Sequence, residues 1–374
     1  MAPADPSVVI AAGGTGGHIY PGLALAQAVL ERAPGARVAF VGTARGLESE
    51  LIPRAGHQLH LVDMVPFAGR SRIVLPFALA RSTLQSRSLL RRLGADVAVG
   101  MGGYTSIPLV AGARLAGVPS VIHESGAIPG RANALAARLT GNVATAFAEA
   151  ESAFPRSATV RTVGMPLGPG LADFDRAALR SEARLAFDLD DDTRFLLVNG
   201  GSQGAASLNR LALGLAGRWS DRDDIRILLK AGASQHEAVA AELTGHPGRG
   251  RVELTRFIER MDHAYAAADM AVCRAGAGTV AELAVAGLPS VLVPYPHAPF
   301  DHQTLNARVL TAVGGAVLVA DHEATADVVG PLLEQRLDHP DVLADMGRRL
   351  AEVAHPDAAG EMAEWVLSLV RGRP

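Results

Sequence analysis

Residues 274–307 read RAGAGTVAELAVAGLPSVLVPYPHAPFDHQTLNA, and this stretch decides the fold class. An apolar run before it, Met270–Cys273, reads as a buried strand. The glycine-rich turn Ala275–Gly278 follows, then helical spacing over Thr279–Ala286 that stops at Gly287. Ser290–Val293 is a second buried-strand pattern, and a loop holding Pro294, Pro296 and Pro299 delivers Asp301, His302, Gln303 and Asn306. This is a βαβ unit with polar side chains at its strand ends, where open parallel sheets bind ligands. The turn offers backbone N–H groups and a helix N-terminus to a phosphate. Glu282, inside the first turns of that helix, would repel a phosphate, so a sugar hydroxyl suits it better.

The same grammar runs outward in both directions. Ser7–Ala12 reads as a strand, followed by Gly13-Gly14-Thr15-Gly16-Gly17-His18, then Pro21 opening a helix over Gly22–Leu30, and a strand at Arg37–Val41. The pattern looks superficially like a dinucleotide fingerprint, but two features argue against it. The third glycine of G-x-G-x-x-G is missing, and the second strand ends at Gly42-Thr43-Ala44-Arg45 without a ribose-binding acid. Further strands are expected at Asp96–Val99, Val118–Ile122, Gly141–Ala146 and Thr159–Val163, with glycine-rich or polar ends at Gly100–Ser106 and His123–Gly126. Pro166–Pro169 reads as a linker, and Asp173–Ala186 as a helix. A second half opens at Arg194–Val198 with Asn199-Gly200-Gly201-Ser202-Gln203, and continues through Ile225–Leu229, Val252–Thr255 and Ala316–Val319. Closing helices are expected at Asp341–Val353 and Met362–Val370. The fold class is therefore α/β, with parallel sheets in two halves.

Composition narrows the chemistry. At 374 residues the chain can bury two cores, and with aromatics at 4% those cores must be built of Ala, Leu and Val. A net charge of −3 gives no general attraction to nucleic acid. Lys230 is the sole lysine, which reads as genome base composition, and Cys273 is the sole cysteine, which suits a reducing cytoplasm. The opening MAPADPSVVI has no signal-type pattern, and no run reaches the ~18 apolar residues of a membrane span. Met64–Ala95 stands apart: it has no acid, but carries Arg70, Arg72, Arg81, Arg87, Arg91 and Arg92 among Phe67, Ile73, Val74, Leu75, Phe77 and Leu79. It fits either an anionic membrane contact or a solvated helix with one buried face, and Pro76 is placed to begin that helix. Asp190-Asp191-Asp192 reads as a solvated loop, and no zinc spacing, Walker loop or G-x-S-x-G elbow is present.

GGTGGHIYPGLALA, MGGYTSIP, HESGAIPGRAN, GGSQGA, RFIERM and RAGAGTVAEL with HQTLNA, in that order, resemble the MurG family. These are bacterial transferases that add N-acetylglucosamine to lipid I. The resemblance covers nearly the whole chain. It implies the GT-B fold, two Rossmann-like domains with parallel sheets flanking a deep cleft. Residues 1–163, with a returning helix at 356–374, would take the acceptor and the membrane, and residues 164–355 the UDP-sugar. It also implies a protein peripheral on the inner face of the cell membrane, with no cofactor and no obligatory metal.

Residue by residue, the resemblance gives the uracil to the backbone of Ile258, the ribose hydroxyls to Glu282 and the diphosphate to Ser202 and Thr279. Arg274 falls on the uridine side, and His302 and Gln303 face the sugar. The loops add Thr15, Gly16, Gly17, Gln203, Gly276, Ala277 and Gly278 to the donor site, and Tyr104, Ser106 and Asn133 to the acceptor side. His18 or Glu124 would be the catalytic base. Three positions depart from the family pattern. Gly126 and Gly278 stand for larger residues, and Leu167-Gly168 lacks an arginine. All three place smaller groups near the expected sugar and diphosphate, leaving the donor sugar and acceptor open. A related transferase of specialised metabolism, a sugar-nucleotide epimerase on the same frame and a non-catalytic sugar-nucleotide sensor are the alternatives.

Overall fold

The structure is a computed structural model and describes residues 5–64, 71–201 and 203–371, with the side chains of residues 71–74 and 371 left out. The chain divides into two compact units, residues 1–172 with 355–374, and residues 173–354. The first unit holds a seven-stranded parallel sheet: β1 Ser7–Ala11, β2 Arg37–Gly42, β3 Gln58–Leu61, β4 Val97–Gly100, β5 Ser120–Glu124, β6 Asn142–Thr145 and β7 Thr159–Thr162. Their order is β3-β2-β1-β4-β5-β6-β7. The second unit has six parallel strands: β8 Arg194–Asn199, β9 Ile225–Lys230, β10 Val252–Thr255, β11 Met270–Cys273, β12 Ser290–Leu292 and β13 Ala316–Leu318, in the order β10-β9-β8-β11-β12-β13. Both are doubly wound, reversing direction between β1 and β4 and between β8 and β11. That reversal opens a crevice at the strands' carboxyl ends.

Near-continuous apolar strands make these sheets, because both faces are covered by helices. Val8 and Ile10 pack against Leu25, Val29 and the returning helix Ala358–Arg371, which contributes Met362, Trp365 and Val366. In the second unit, Leu196, Val198, Ile227 and Val272 pack against Leu208, Leu211 and Leu215 of the helix Ala206–Arg218.

Local expectations shift in four places. β3 was not expected: QLHL is a short edge strand with both ends exposed, so little apolar signal marks it. The first helix spans Gly16–Arg32 and starts before Pro21, because the N–H groups of His18 and Ile19 both reach Thr15 O and close the first turn. The helix after the second glycine turn likewise begins early, at Ala277. Pro76 does not begin its helix either: it lies inside Ser71–Arg92. On that helix Leu75 and Leu79 pack on a core that includes Leu89 and Leu90, while Phe77, Arg81 and Leu84 face outward. Phe67 and Arg70 lie outside the described residues, as do the side chains of Arg72, Ile73 and Val74. Among the described residues no helix is long and apolar enough to cross a membrane.

Candidate active site

In the first unit the loops after β1 and β4 meet at the point where the sheet reverses. Gly102 and Gly103 have φ of +102° and +74°, and the His18 ring lies directly over them. A Cβ at Gly102 would come within 2.8 Å of His18 Cδ2 and 3.0 Å of Nε2. Only glycine serves both the backbone angle and the approach. The turn is braced by Ser106, whose hydroxyl donates to Gly102 O at 2.7 Å and accepts from Gly102 N at 2.9 Å.

His18 Nδ1 sits 3.2 Å from Gly13 O. A carbonyl only accepts, so the neutral ring carries its proton on Nδ1 and keeps a lone pair on Nε2. The Thr15 hydroxyl, 3.4 Å from Nδ1, is the weaker neighbour. Burial lowers the His18 pKa, against the opposing pull of the Gly13 contact and the charge of Glu48. The ring is thus neutral at pH 7 and able to take a proton at Nε2.

Glu124 has a different setting. Its carboxylate accepts from Gly126 N at 2.9 Å, Gly130 N at 3.1 Å and Asn133 Nδ2 at 2.9 Å. Burial raises its pKa while these donors pull it down. A carboxylate so engaged holds the loop 125–130 onto the start of the helix Arg131–Thr140. Asn133 is buried, and its amide also donates to His123 O at 2.9 Å. Ser106 and Asn133 therefore brace loops from within, whereas half-buried Tyr104 holds its hydroxyl 3.1 Å from Thr43 Oγ1.

The second unit supplies the other set. Gly276 caps the helix Ala277–Ala286, whose first N–H groups lack intrahelical partners and point out over the β11 end. Glu282 accepts the Tyr265 hydroxyl at 2.6 Å through Oε2. Its other oxygen, Oε1, faces Gly278, where a Cβ would stand 3.9 Å away. One oxygen is held, and the other looks across a bare first turn. Burial raises the Glu282 pKa, opposed by the Tyr265 hydrogen bond and the charge of Lys230. Thr279 lies on the same turn. Ile258 is buried at the β10 end between exposed Phe257 and Glu259. Gln203 is exposed in the turn after β8, and Ser202 lies outside the described residues.

Arg274 acts inside the unit. It donates to Val293 O at 3.1 Å, Pro294 O at 3.0 Å and Ser207 Oγ at 3.0 Å, and pairs with Asp321 at 2.6 Å. This ties the β11 and β12 ends together. Beyond them Phe300 and Asp301 both adopt left-handed φ, +56° and +52°, a strained pair that turns the chain into the helix His302–Ala312. Gln303 Oε1 accepts from Tyr295 N at 2.9 Å, and His302 Nδ1 donates to Pro299 O at 2.9 Å. The strap is fixed by the two side chains expected to face the sugar.

Four residues packed around these loops were not among the site residues expected from the sequence. Glu48 is fully buried under the first glycine loop. His123, also fully buried, donates through Nε2 to Gly164 O at 2.9 Å, and burial takes its pKa down to about 4. Tyr265 holds Glu282, and Lys230 is buried near it with its ammonium 5.4 Å from the Phe257 ring. A lone lysine in an arginine-rich chain was the one available signal. Among the described residues no group of three or more His, Cys, Asp or Glu could hold a metal ion.

Residues 8–145 match the glycosyltransferase family 28 N-terminal domain, and residues 195–362 match its C-terminal domain. A Mycolicibacterium vanbaalenii protein named UDP-N-acetylglucosamine--N-acetylmuramyl-(pentapeptide) pyrophosphoryl-undecaprenol N-acetylglucosamine transferase is 41% identical over 97% of this chain and 90% of its own length. The Saccharopolyspora erythraea protein of the same name is 42% identical over 100% of this chain and 96% of its own. The chain belongs to the MurG family. Its backbone agrees: the crystal structure of Acinetobacter baumannii MurG superposes with a TM-score of 0.78 at 30% identity, covering 97% of this chain and 99% of that one. The fold is GT-B, two Rossmann-like α/β domains. Among the departures from the MurG pattern, Gly126 still gives its N–H to Glu124, and Gly168 has open space around its Cβ position.

Proposed function

We propose that this chain is an inverting transferase of the MurG type. It moves N-acetylglucosamine from UDP-N-acetylglucosamine to the MurNAc 4-hydroxyl of undecaprenyl-pyrophosphoryl-MurNAc-pentapeptide, converting lipid I to lipid II in peptidoglycan synthesis. The observation that carries the reading is the division of chemistry between the two sheets. One switch point holds a neutral imidazole with its Nε2 lone pair available; the other holds a helix N-terminus beside a carboxylate with one oxygen already fixed. The first suits deprotonation of a hydroxyl, and the second suits a nucleoside diphosphate.

In this reaction the acceptor oxygen attacks the anomeric carbon as its proton passes to His18 Nε2. The bond from that carbon to the diphosphate breaks, and UDP departs with the electron pair. The N–H groups at the start of Ala277–Ala286, with Thr279, Ser202 and Gln203, stabilise the leaving diphosphate. Glu282 Oε1 takes the ribose hydroxyls, the Ile258 backbone the uracil, and His302 and Gln303 the sugar. Arg274 and Glu124 hold the loops that carry these groups. No obligatory metal is part of the proposal. On the first unit, Tyr104 lines the acceptor side, and a groove bounded by Thr43, Leu61, Met64, Phe77 and Arg81 opens beside it. The outward face of Ser71–Arg92 meets anionic lipid at the inner face of the cell membrane.

The test is a labelled UDP-sugar panel with a short-chain lipid-linked acceptor, read by product mass. Transfer of N-acetylglucosamine with loss of UDP is expected. Conversion of UDP-N-acetylglucosamine to an epimer without acceptor would overturn the transferase reading, and transfer of another sugar would overturn the donor assignment.

A further inference from the structure

The buried carboxylate beneath the first glycine loop has no place in the reaction as described. Glu48 opens the helix Glu48–Arg54, is fully buried, and belongs to neither glycine motif. Its Oε1 accepts from Thr43 N at 3.1 Å and Thr43 Oγ1 at 2.9 Å, and its Oε2 accepts from Gly14 N at 3.1 Å. The Gly14 N–H and the Gly13 carbonyl are two ends of one peptide group. The carbonyl end accepts from His18 Nδ1 at 3.2 Å. Carboxylate, peptide and imidazole therefore stand in line, each hydrogen-bonded to the next.

We propose that Glu48 is a positioning residue for His18, acting through the Gly13–Gly14 peptide as an aspartate acts directly on histidine in a hydrolase triad. A negative charge on the N–H end polarises the peptide and makes its carbonyl a stronger acceptor. That fixes the Nδ1–H tautomer, aims Nε2 outward and stabilises the imidazolium formed when Nε2 takes the acceptor proton. Anchoring a loop N–H needs no charge, since a serine or asparagine oxygen would do. Burying a carboxylate is costly unless its charge is used or well compensated. Its charge also raises the His18 pKa against burial.

The other groups around the imidazole are Thr15 on its own loop, buried His123 from β5, and Asn133 from Arg131–Thr140 with Glu124 behind it. Tyr104 reaches Glu48 only through Thr43. His123 gives its proton to Gly164 O and carries no negative charge, whereas the charge of Glu48 favours the imidazolium.

The proposal rests on His18 being the base, and the experiment separates the two ideas. Full-length wild type, Glu48→Gln, His18→Ala and the double variant are assayed with UDP-N-acetylglucosamine and a soluble lipid-linked acceptor analogue. In Glu48→Gln we expect kcat to fall roughly 10- to 100-fold, donor KM to stay within about twofold, and the acid limb of kcat to move to lower pH by about half a unit or more. The same change should do almost nothing further in the His18→Ala background, because the residues act as a unit. A matching fall in both backgrounds, or an unmoved acid limb, would overturn the proposal. If His18→Ala retains near-normal kcat, the base reading fails. The coupling is then judged by ¹⁵N NMR of the imidazole, where Glu48→Gln must lower the His18 titration midpoint for it to stand. The wild-type spectrum alone serves if Glu48→Gln does not fold: an Nε2–H tautomer in the neutral ring would overturn the proposal.

Discussion

Glu282 shows how much of a donor site depends on a single side-chain geometry. Tyr265 immobilises Oε2 at 2.6 Å, so in the proposed donor site Oε1 would meet a diol without a further loss of side-chain freedom. Glycine at 278, the second residue of its helix, is not required by any close contact. Its effect is to leave the approach to Oε1 open. Glu282→Ala should weaken UDP binding by about 1.5–3 kcal/mol, the range of a charge-assisted hydrogen bond, with kcat at saturating donor changed far less. Gly278→Leu should raise donor KM by covering the same oxygen while leaving the fold intact. Calorimetric titration with UDP checks both. Unchanged affinity in Glu282→Ala would remove the carboxylate from the site.

At the scale of elements, Ser71–Arg92 presents two unlike faces. Phe77, Arg81 and Leu84, spaced to share one side of the helix, are exposed, with Phe77 at 81% and Leu84 at 58%. Arg81 is paired with Asp63 at 2.8 Å, but both are solvent-exposed and the pair adds little stability. An exposed phenylalanine and leucine flanked by arginines suit the interfacial region of an anionic bilayer, where each basic residue contributes about 1 kcal/mol. Phe77→Ser with Arg81→Gln and Arg91→Gln should cut binding to vesicles containing anionic lipid several-fold, and more at low salt. Activity on a soluble acceptor analogue should hold. A parent protein that ignores such vesicles at low salt would refute the membrane contact.

Elements also show why some of the site was legible and some was not. Strands such as Val8–Ala11 and Met270–Cys273 are apolar on both faces and lead into glycine within three residues, so their place and the glycine loops after them are readable. β3, at a sheet edge with exposed ends, lacks that signal. The helices expected to open at Pro21 and Pro76 start earlier: proline favours a first turn, but the Thr15 carbonyl closes a turn before Pro21, and Pro76 lies inside Ser71–Arg92. Glu48 lies just beyond Gly42–Arg45, the strand end where a ribose-binding acid would stand. Its partner, Gly14 N, is 34 residues away, and no local spacing records a contact that only the packing of β1 beside β2 creates.

For the molecule as a whole, two sheets with separate cores imply two separable stabilities. The returning helix Ala358–Arg371 follows the second unit in sequence, yet it completes the first unit's core. Trp365 is 5% exposed there, and the Arg161 guanidinium lies 4.7 Å over its ring. Trp365→Ala removes both the packing and the cation–π contact. That should cost the first unit about 3–5 kcal/mol, or roughly 10 °C in its thermal transition. UDP, which the proposed donor site assigns to the second unit, should raise only that unit's transition, by about 2.7 kcal/mol at one hundred times its Kd. Scanning calorimetry with and without UDP, on wild type and Trp365→Ala, reads both effects in one set of traces. The expected result is two transitions, one moved by the substitution and the other by the nucleotide. A single transition on which both act equally would mean that the units unfold together and that the final helix stabilises the whole chain.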